Sequence, residues 1–215
     1  MKKYLIPIAL LLFCTIPTHA QEAMPDERSQ RIELLKNHSF EDEAKPIRNR
    51  RFGPNGEGEL FGGYLPEGVI LGWFMATDEG AQITVTTENL LDTTQHNALC
   101  WNISEATNDA PSAIANAGFH GINAIQGCEY TLSFWAHADK RYQGKLRVGL
   151  QSKDHGTWYA HATVKRKIKK KWKRYTLTFT ADSNDSNARF VIEANMPGTL
   201  YFDEVSLYCP AAIKR

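Results

Sequence analysis

The sequence is poor in cysteine, has no long apolar run and carries no marked excess of charge. Four cysteines occur in 215 residues, and 25 lysines and arginines are balanced by 24 aspartates and glutamates. The longest apolar run, residues 5–16, is shorter than the stretch of about 20 residues that spans a membrane. The balanced charge excludes a global field that would favour nucleic acid or a membrane surface.

Motifs for covalent and metal chemistry are also absent. The sequence contains neither G-x-S-x-G nor H-E-x-x-H, and its cysteines are too far apart for a zinc signature. Glycosidases need two carboxyl groups beside a cleft, and no such pair can be chosen from the acidic residues. The sequence therefore predicts no catalytic residue.

The N-terminus predicts export. Lys2 and Lys3 precede the apolar run, and Thr18-His19-Ala20 offers small residues for cleavage. This arrangement is typical of a secretory signal peptide, here residues 1–20, and indicates a secreted or periplasmic protein. Residues 21–31 are polar and predict a linker, and residues 210–215 predict a C-terminal tail.

Three cysteines lie outside the predicted signal peptide: Cys100, Cys128 and Cys209. An odd number permits at most one intramolecular disulfide and leaves one thiol. The alternative, which we favour from sequence alone, is three buried cysteines on strands.

Alternation of apolar and polar residues dominates the second half of the chain. Period-two patterns separated by turn signals every 8–12 residues are typical of antiparallel sandwiches and barrels. They predict an all-β jelly-roll sandwich of about ten strands in two antiparallel sheets, spanning residues 32–209 and beginning with a strand at 32–40. The inward set includes Tyr130, Leu132, Phe134, Leu146, Val148, Leu150, Tyr175, Leu177, Phe179, Leu200 and Phe202.

The last predicted strand changes parity. Leu200 and Phe202 point to one face, whereas Val205 and Leu207 have the opposite parity. A slip of one residue reverses every side chain, so a bulge is expected at Asp203-Glu204.

Four motifs carry a resemblance to a known family. The segments LLKNHSFE (34–41), GCEYTLSF (127–134), WKRYTLTF (172–179) and LYFDEVSL (200–207) resemble strands of the CenC-like carbohydrate-binding modules. AGFHGI (117–122) and PGTLYFD (197–203) resemble the N-terminal sandwich of family 51 α-L-arabinofuranosidases. The resemblance implies a galactose-binding-like jelly roll. It also implies a structural Ca²⁺ that joins the first strand to the last, with Glu41 and Asp203 as ligands. Both carboxylates provide the hard oxygens that Ca²⁺ prefers.

The predicted ligand face combines an aromatic ring with planar polar groups, since sugars present C–H patches and hydroxyls. The side chains predicted to point outward from three consecutive strands and to form this face are Trp135, His137, Arg147, Gln151 and Tyr159. A turn carrying Phe119 and His120 is the second candidate. Trp73, Trp101, Trp158 and Trp172 are interpreted as core or sheet-edge residues.

A basic run of eight charges in ten residues occupies positions 165–174. Between two predicted strands, it is interpreted as a solvated hairpin turn. Binding of an acidic polysaccharide is the alternative.

The resemblance, together with the missing catalytic motifs, implies a non-catalytic module that binds a polysaccharide or oligosaccharide within an exported glycoside-hydrolase system. Its partner would be a separate glycoside hydrolase, or a catalytic barrel that this chain does not contain. Neither nucleic acid nor a membrane span is expected. The alternatives are a fragment of a glycosidase, a structural or adhesive sandwich without sugar affinity, and an enzyme with an unrecognised site.

Overall fold

The structure is a computed structural model that describes residues 32–42, 70–77, 80–88, 90–91, 97–154 and 156–210. The predicted signal peptide and linker (1–31), the stretch 43–69 and the last five residues of the predicted tail lie outside the described residues. No helix in the described ranges is long and apolar enough to cross a membrane.

Eleven strands form within the described residues. They are β1 (Trp73–Met75), β2 (Ala81–Thr86), β3 (Ala98–Ile103), β4 (Ser112–Asn116), β5 (Ile122–Ala124), β6 (Glu129–Ala138), β7 (Leu146–Gln151), β8 (Trp158–Thr163), β9 (Lys173–Thr180), β10 (Asp185–Ala194) and β11 (Gly198–Tyr208).

The strands form two antiparallel sheets. The six-stranded sheet has the order β1-β4-β10-β7-β8, with β5 paired to β10 beside this path. The five-stranded sheet has the order β2-β3-β11-β6-β9. This confirms the predicted all-β sandwich.

The inward rows of both sheets fill one core. Phe134 and Val148 are fully buried, from the five-stranded and the six-stranded sheet respectively, and Phe179 is nearly so. Phe134 stacks on Tyr175 with ring centroids 5.4 Å apart. Each large apolar side chain buried in this way contributes about 1.5–3 kcal/mol, so the alternation determines which face of each strand is inside.

The predicted parity change in β11 is confirmed. Asp203 pairs with Trp135 of β6, and the next pair is Ser206 with Ser133. Between these two pairs β11 has one residue more than β6, which is a β-bulge. Glu204 takes up the irregularity with a φ of 48°. The bulge returns Val205 and Leu207 to the core, where both are fully buried.

The predicted strand at 32–40 is wrong, because the structure forms turns there. Asn37 and Phe40 both have positive φ, which an extended strand cannot accommodate. The segment instead lies along β11 beyond the end of its pairing with β3: Leu34 N donates to Leu207 O at 3.0 Å, and Val205 N donates to His38 O at 2.8 Å.

Cys128 and Cys209 form a disulfide between residues 81 positions apart in sequence. Cys100 keeps a free thiol on β3. The favoured interpretation of three buried cysteines on strands is therefore wrong: Cys128 and Cys209 are buried but lie just outside β6 and β11, and Cys100 is on a strand but only partly buried. Among these three, one disulfide and one thiol are present.

The basic run is not a hairpin turn. It connects β8, at the edge of the six-stranded sheet, to β9, at the edge of the five-stranded sheet. Consecutive strands in different sheets need a connection that crosses the sandwich, and a two-strand hairpin cannot provide it.

Candidate functional site

The five residues predicted to form one ligand face lie in two different sheets. Trp135 and His137 are on β6 of the five-stranded sheet, whereas Arg147 and Gln151 are on β7 of the six-stranded sheet. The prediction that these side chains cluster is wrong, because β6 and β7 are consecutive in sequence but are not neighbours in a sheet. Their outward rows face opposite sides of the sandwich.

A bulge in β8 exchanges the roles of Trp158 and Tyr159. Ala160 pairs with Leu150, but the next pair is Trp158 with Gln151, so Tyr159 is the additional residue. Trp158 therefore lies on the outer face of this edge strand, which agrees with the sheet-edge alternative and not with a place in the core. Tyr159 packs against the core, and its hydrogen bond to the side chain of Asp185 raises the pKa of its hydroxyl.

The outer face of the six-stranded sheet carries a compact group of aromatic and planar polar side chains. The guanidinium carbon of Arg147 lies 4.2 Å from the centroid of the Trp158 ring. Gln151 Nε2 donates to Glu193 Oε1 at 3.2 Å, and Arg147 Nη1 lies 3.9 Å from Glu193 Oε2. We call these four residues the Trp158 site.

Small side chains lie buried beneath the Trp158 site. Gly149 lies between Arg147 and Gln151 on β7 and is paired with Val191 of β10. Ala113, Ala115 and Val191 form a buried apolar patch that Trp158 and Phe74 border. The three residues are buried under these rings, and Gln151 is only 4% exposed, so the accessible surface is formed mainly by Trp158, Phe74 and Arg147.

Burial and charge together determine the ionisation of the Trp158 site. Burial raises the pKa of Glu193, and Arg147 and the Gln151 hydrogen bond lower it in part. Burial, followed by the charge of Arg147, lowers the pKa of His161, whose ring lies 5.6 Å from that of Trp158. The site thus combines an apolar ring, guanidinium and amide donors, and amide and carboxyl acceptors.

The opposite outer face has a cleft of about 410 Å³ that contains Trp135. Arg174, paired with Trp135 across the strands, donates from Nη2 to Ser133 Oγ at 3.4 Å in its wall. The lining residues are Glu33, His38, Thr131, Ser133, Trp135, Arg174, Thr176, Glu204, Ser206 and Tyr208. We call this the Trp135 cleft.

His137 has aromatic neighbours on both sides. Its ring stacks on Tyr201 with centroids 4.3 Å apart, and Trp172 meets it edge-on at 4.6 Å. His137 does not line the Trp135 cleft. It belongs instead to an aromatic group beside the end of the basic run.

The second predicted position, Phe119 and His120, lies in the turn between β4 and β5. Both residues are exposed, Phe119 to 55%. Neither lines the Trp135 cleft, so a ligand-binding role for this turn stays a prediction.

The two residues predicted as calcium ligands are both engaged by protein donors. The Glu41 carboxylate accepts hydrogen bonds from Asn97 N at 2.9 Å and from Asn97 Nδ2 at 3.1 Å. Asp203 is fully buried at the bulge, and its Oδ1 accepts from Glu204 N at 2.7 Å. Among the described residues, no three His, Cys, Asp or Glu side chains are grouped to hold a metal ion. A calcium shell here would need backbone carbonyls as well, so calcium stays a prediction.

Sequence reasoning missed Trp158 and Glu193 as members of the site. Glu193 had a usable signal, since it is the polar position in the strand F-V-I-E-A, opposite in parity to Phe190 and Ile192. Trp158 had none, because its parity matched the core until the bulge at Tyr159 reversed it.

Comparison with a solved arabinofuranosidase structure supports the fold. The arabinose-bound α-L-arabinofuranosidase MgGH51 has a TM-score of 0.62 and 21% identity, over 83% of this chain and 26% of that chain. This chain thus spans about a quarter of that enzyme's length. The CBM22-1 xylan-binding domain of Paenibacillus barcinonensis Xyn10C has a TM-score of 0.48 and 13% identity, over 66% of this chain and 88% of that chain.

Comparison with protein families identifies the chain. A search of curated protein sequences finds no significant match. The sequence profile of a family described as Carbohydrate binding domain, however, matches residues 33–199, which include β1 to β10 and the first two residues of β11. The predicted resemblance is thereby confirmed for family and fold: the chain belongs to this carbohydrate-binding domain family.

Proposed function

We propose that the chain binds a neutral polysaccharide at the Trp158 site without cleaving it. The observation that carries this proposal is the stacking of Arg147 on Trp158 beside Gln151 and Glu193. An aromatic ring accepts the C–H face of a sugar, while the planar polar groups bind its hydroxyls.

The polar groups of the Trp158 site hold one another in position. Glu193 binds the Gln151 amide and lies within reach of Arg147, and Arg147 lies on the ring. Side chains ordered in this way lose little conformational entropy when a ligand binds. The same pairing supports binding and provides no second carboxyl group for hydrolysis.

The Trp135 cleft is the competing position for the same function. It has a tryptophan, an arginine and hydroxyl groups, and its volume lies within the range of small-ligand pockets, about 300–1,000 Å³. Because the two tryptophans lie on opposite outer faces, each serves as the control for the other.

Affinity electrophoresis in gels containing arabinan, xylan or β-glucan tests the assignment. We expect one of these neutral polymers to retard the wild type, and Trp158→Ala to weaken binding at least about tenfold, as hot-spot aromatics do. Trp135→Ala should migrate like the wild type. The reverse pattern would move the site to the Trp135 cleft, and absence of retardation in every gel would contradict the function.

We further propose that the chain is exported and acts beside a glycoside hydrolase. The signal-peptide pattern and the likeness to one domain of an arabinofuranosidase support this. Such a module would raise the effective concentration of the enzyme on its polymer. Turnover of p-nitrophenyl arabinofuranoside that co-purifies with these 215 residues would contradict a purely accessory role.

A further inference from the structure

Two connections at one end of the sandwich form a dense cationic surface. The β6–β7 and β8–β9 connections lie side by side, since Ala138 N donates to Lys169 O at 2.9 Å and Lys167 Nζ donates to Gln143 Oε1 at 3.2 Å. Nine of their basic side chains, all exposed, make up what we call the basic ridge: Lys140, Arg141, Lys145, Lys165, Arg166, Lys167, Lys169, Lys170 and Lys171.

The protein fixes the backbone of this ridge. Ile168 is buried in the middle of the β8–β9 connection and is 7% exposed. Lys169 N donates to the Tyr175 hydroxyl at 3.1 Å, and Lys169 O accepts from Ala138. The lysines on either side of Ile168 therefore project from an ordered support.

The two connections themselves contain almost no acidic residue. Residues 164–174 contain no acidic residue, and residues 139–145 contain one, Asp139. The Asp139 carboxylate accepts hydrogen bonds from the backbone N–H groups of Arg141 and Tyr142, at 3.0 and 2.9 Å. Like charges held so close repel one another, and a polyanion that neutralises them relieves this repulsion and releases its own counterions.

An aromatic group adjoins the ridge and indicates the kind of polyanion. Trp172 follows Lys171 directly and contacts His137, which stacks on Tyr201. Cations beside aromatic rings match a polymer whose sugar rings carry carboxylates. We propose that the basic ridge is a second glycan-binding surface, specific for acidic polysaccharides of the polyuronate type. The proposal rests on membership of the carbohydrate-binding family and is independent of the neutral ligand at the Trp158 site.

The test uses polygalacturonate and its highly methyl-esterified form, which share a backbone and differ in charge. At low salt, we expect the full chain to bind the acid form and to bind the ester at least about tenfold more weakly. The affinity should fall as the salt concentration rises. In a plot of log affinity against log salt concentration, the triple variant Lys169→Gln/Lys170→Gln/Lys171→Gln should have a slope that is shallower by about two to three, because each lost contact removes about 0.7–0.9.

Matched variants separate this surface from the rest of the molecule. Lys170→Gln should weaken polygalacturonate binding, whereas Lys153→Gln, an exposed lysine outside the ridge, should not. Trp158→Ala should leave this binding unchanged, and the triple variant should leave neutral-glycan binding unchanged, so failure of one proposal is distinguishable from failure of the other. Circular dichroism checks that each variant is folded.

Three outcomes would overturn the proposal. Equal binding of the acid and ester forms would show that charge is not recognised. If single-stranded DNA of matched charge bound as tightly as polygalacturonate, the ligand of the ridge would be a general polyanion or a nucleic acid, and not an acidic glycan. Absence of polygalacturonate binding at low salt would leave the ridge as a solvated connection.

Discussion

Arg147 and Trp158 meet across β7 and β8, with the guanidinium carbon 4.2 Å from the ring centroid. Strict alternation along β8 would place Trp158 in the core, and the bulge at Tyr159 places it outside instead. The contact therefore depends on one irregular residue. It places an aromatic ring of an edge strand on the outer face, where we propose that the glycan binds.

Replacing Arg147 with lysine tests the planar contact. The charge remains, but the planar group that the ring holds in place is lost, and ordering the lysine on binding costs about 0.5–1 kcal/mol. We expect Arg147→Lys to weaken binding of the neutral glycan roughly two- to fivefold in isothermal titration calorimetry. Arg174→Lys, on the opposite outer face, is the control. Weakening in the control alone would assign the ligand to the Trp135 cleft.

Gly149 allows β7 and β8 to approach closely. An added methyl group would collide with the Ala160 carbonyl oxygen and lie 2.7 Å from the Cα of His161, both of them backbone atoms. Gly149→Ala should therefore cost about 1–3 kcal/mol in the free energy of unfolding, as overpacking does. Gly156→Ala, whose methyl would have its nearest neighbour at 3.6 Å, should change it by less than about 0.5 kcal/mol in urea titrations. Equal stability of the two variants would contradict the close approach.

Much of the fold could be predicted because burial imposes a local pattern. Phe134, Val148 and Phe179 follow the period of two and are all buried. The bulge at Asp203 was also visible, because the apolar residues on its two sides have opposite parity.

The site could not be predicted because it depends on which strands are neighbours. Residues 139–145 can close a hairpin or cross between sheets, and no local pattern distinguishes the two. In the structure this connection crosses between the sheets, so Trp135 and Arg147 lie on different sheets. Glu193 comes from β10, which is distant in sequence but pairs with β7. The bulge in β8 left no parity signal, since Trp158, Ala160 and Ala162 form an unbroken apolar series.

Glu193 should make stability depend on pH. Burial raises its pKa in the folded state, so folding favours the protonated form. Its contribution is present below the unfolded-state pKa and is lost as the pH rises through the folded-state value. We expect the free energy of unfolding of the wild type to fall, relative to Glu193→Gln, as the pH rises through the acidic range. A difference that stays constant or grows with pH would contradict this assignment.

The proposed calcium ion should link stability to Asp203. Asp203 is fully buried at the bulge, and a bound cation would stabilise its carboxylate. We expect EDTA to lower Tm, added Ca²⁺ to restore it, and Asp203→Asn to abolish the response. Mg²⁺ is the ion control, because it demands a smaller octahedral shell. A Tm that EDTA leaves unchanged would contradict a structural calcium site.

The Cys128–Cys209 disulfide should contribute strongly to stability. It closes a segment with a sequence separation of 81, and chain-entropy arguments assign a loop of this size about 4.5 kcal/mol. We expect the double variant Cys128→Ser/Cys209→Ser to lose about 2–5 kcal/mol in urea denaturation. Cys100→Ser is the matched control, since its thiol lies on β3 and forms no disulfide. If the control lost as much as the double variant, cysteine packing would explain the effect. A small loss confined to the double variant would instead show residual structure that already limits the entropy of the unfolded chain.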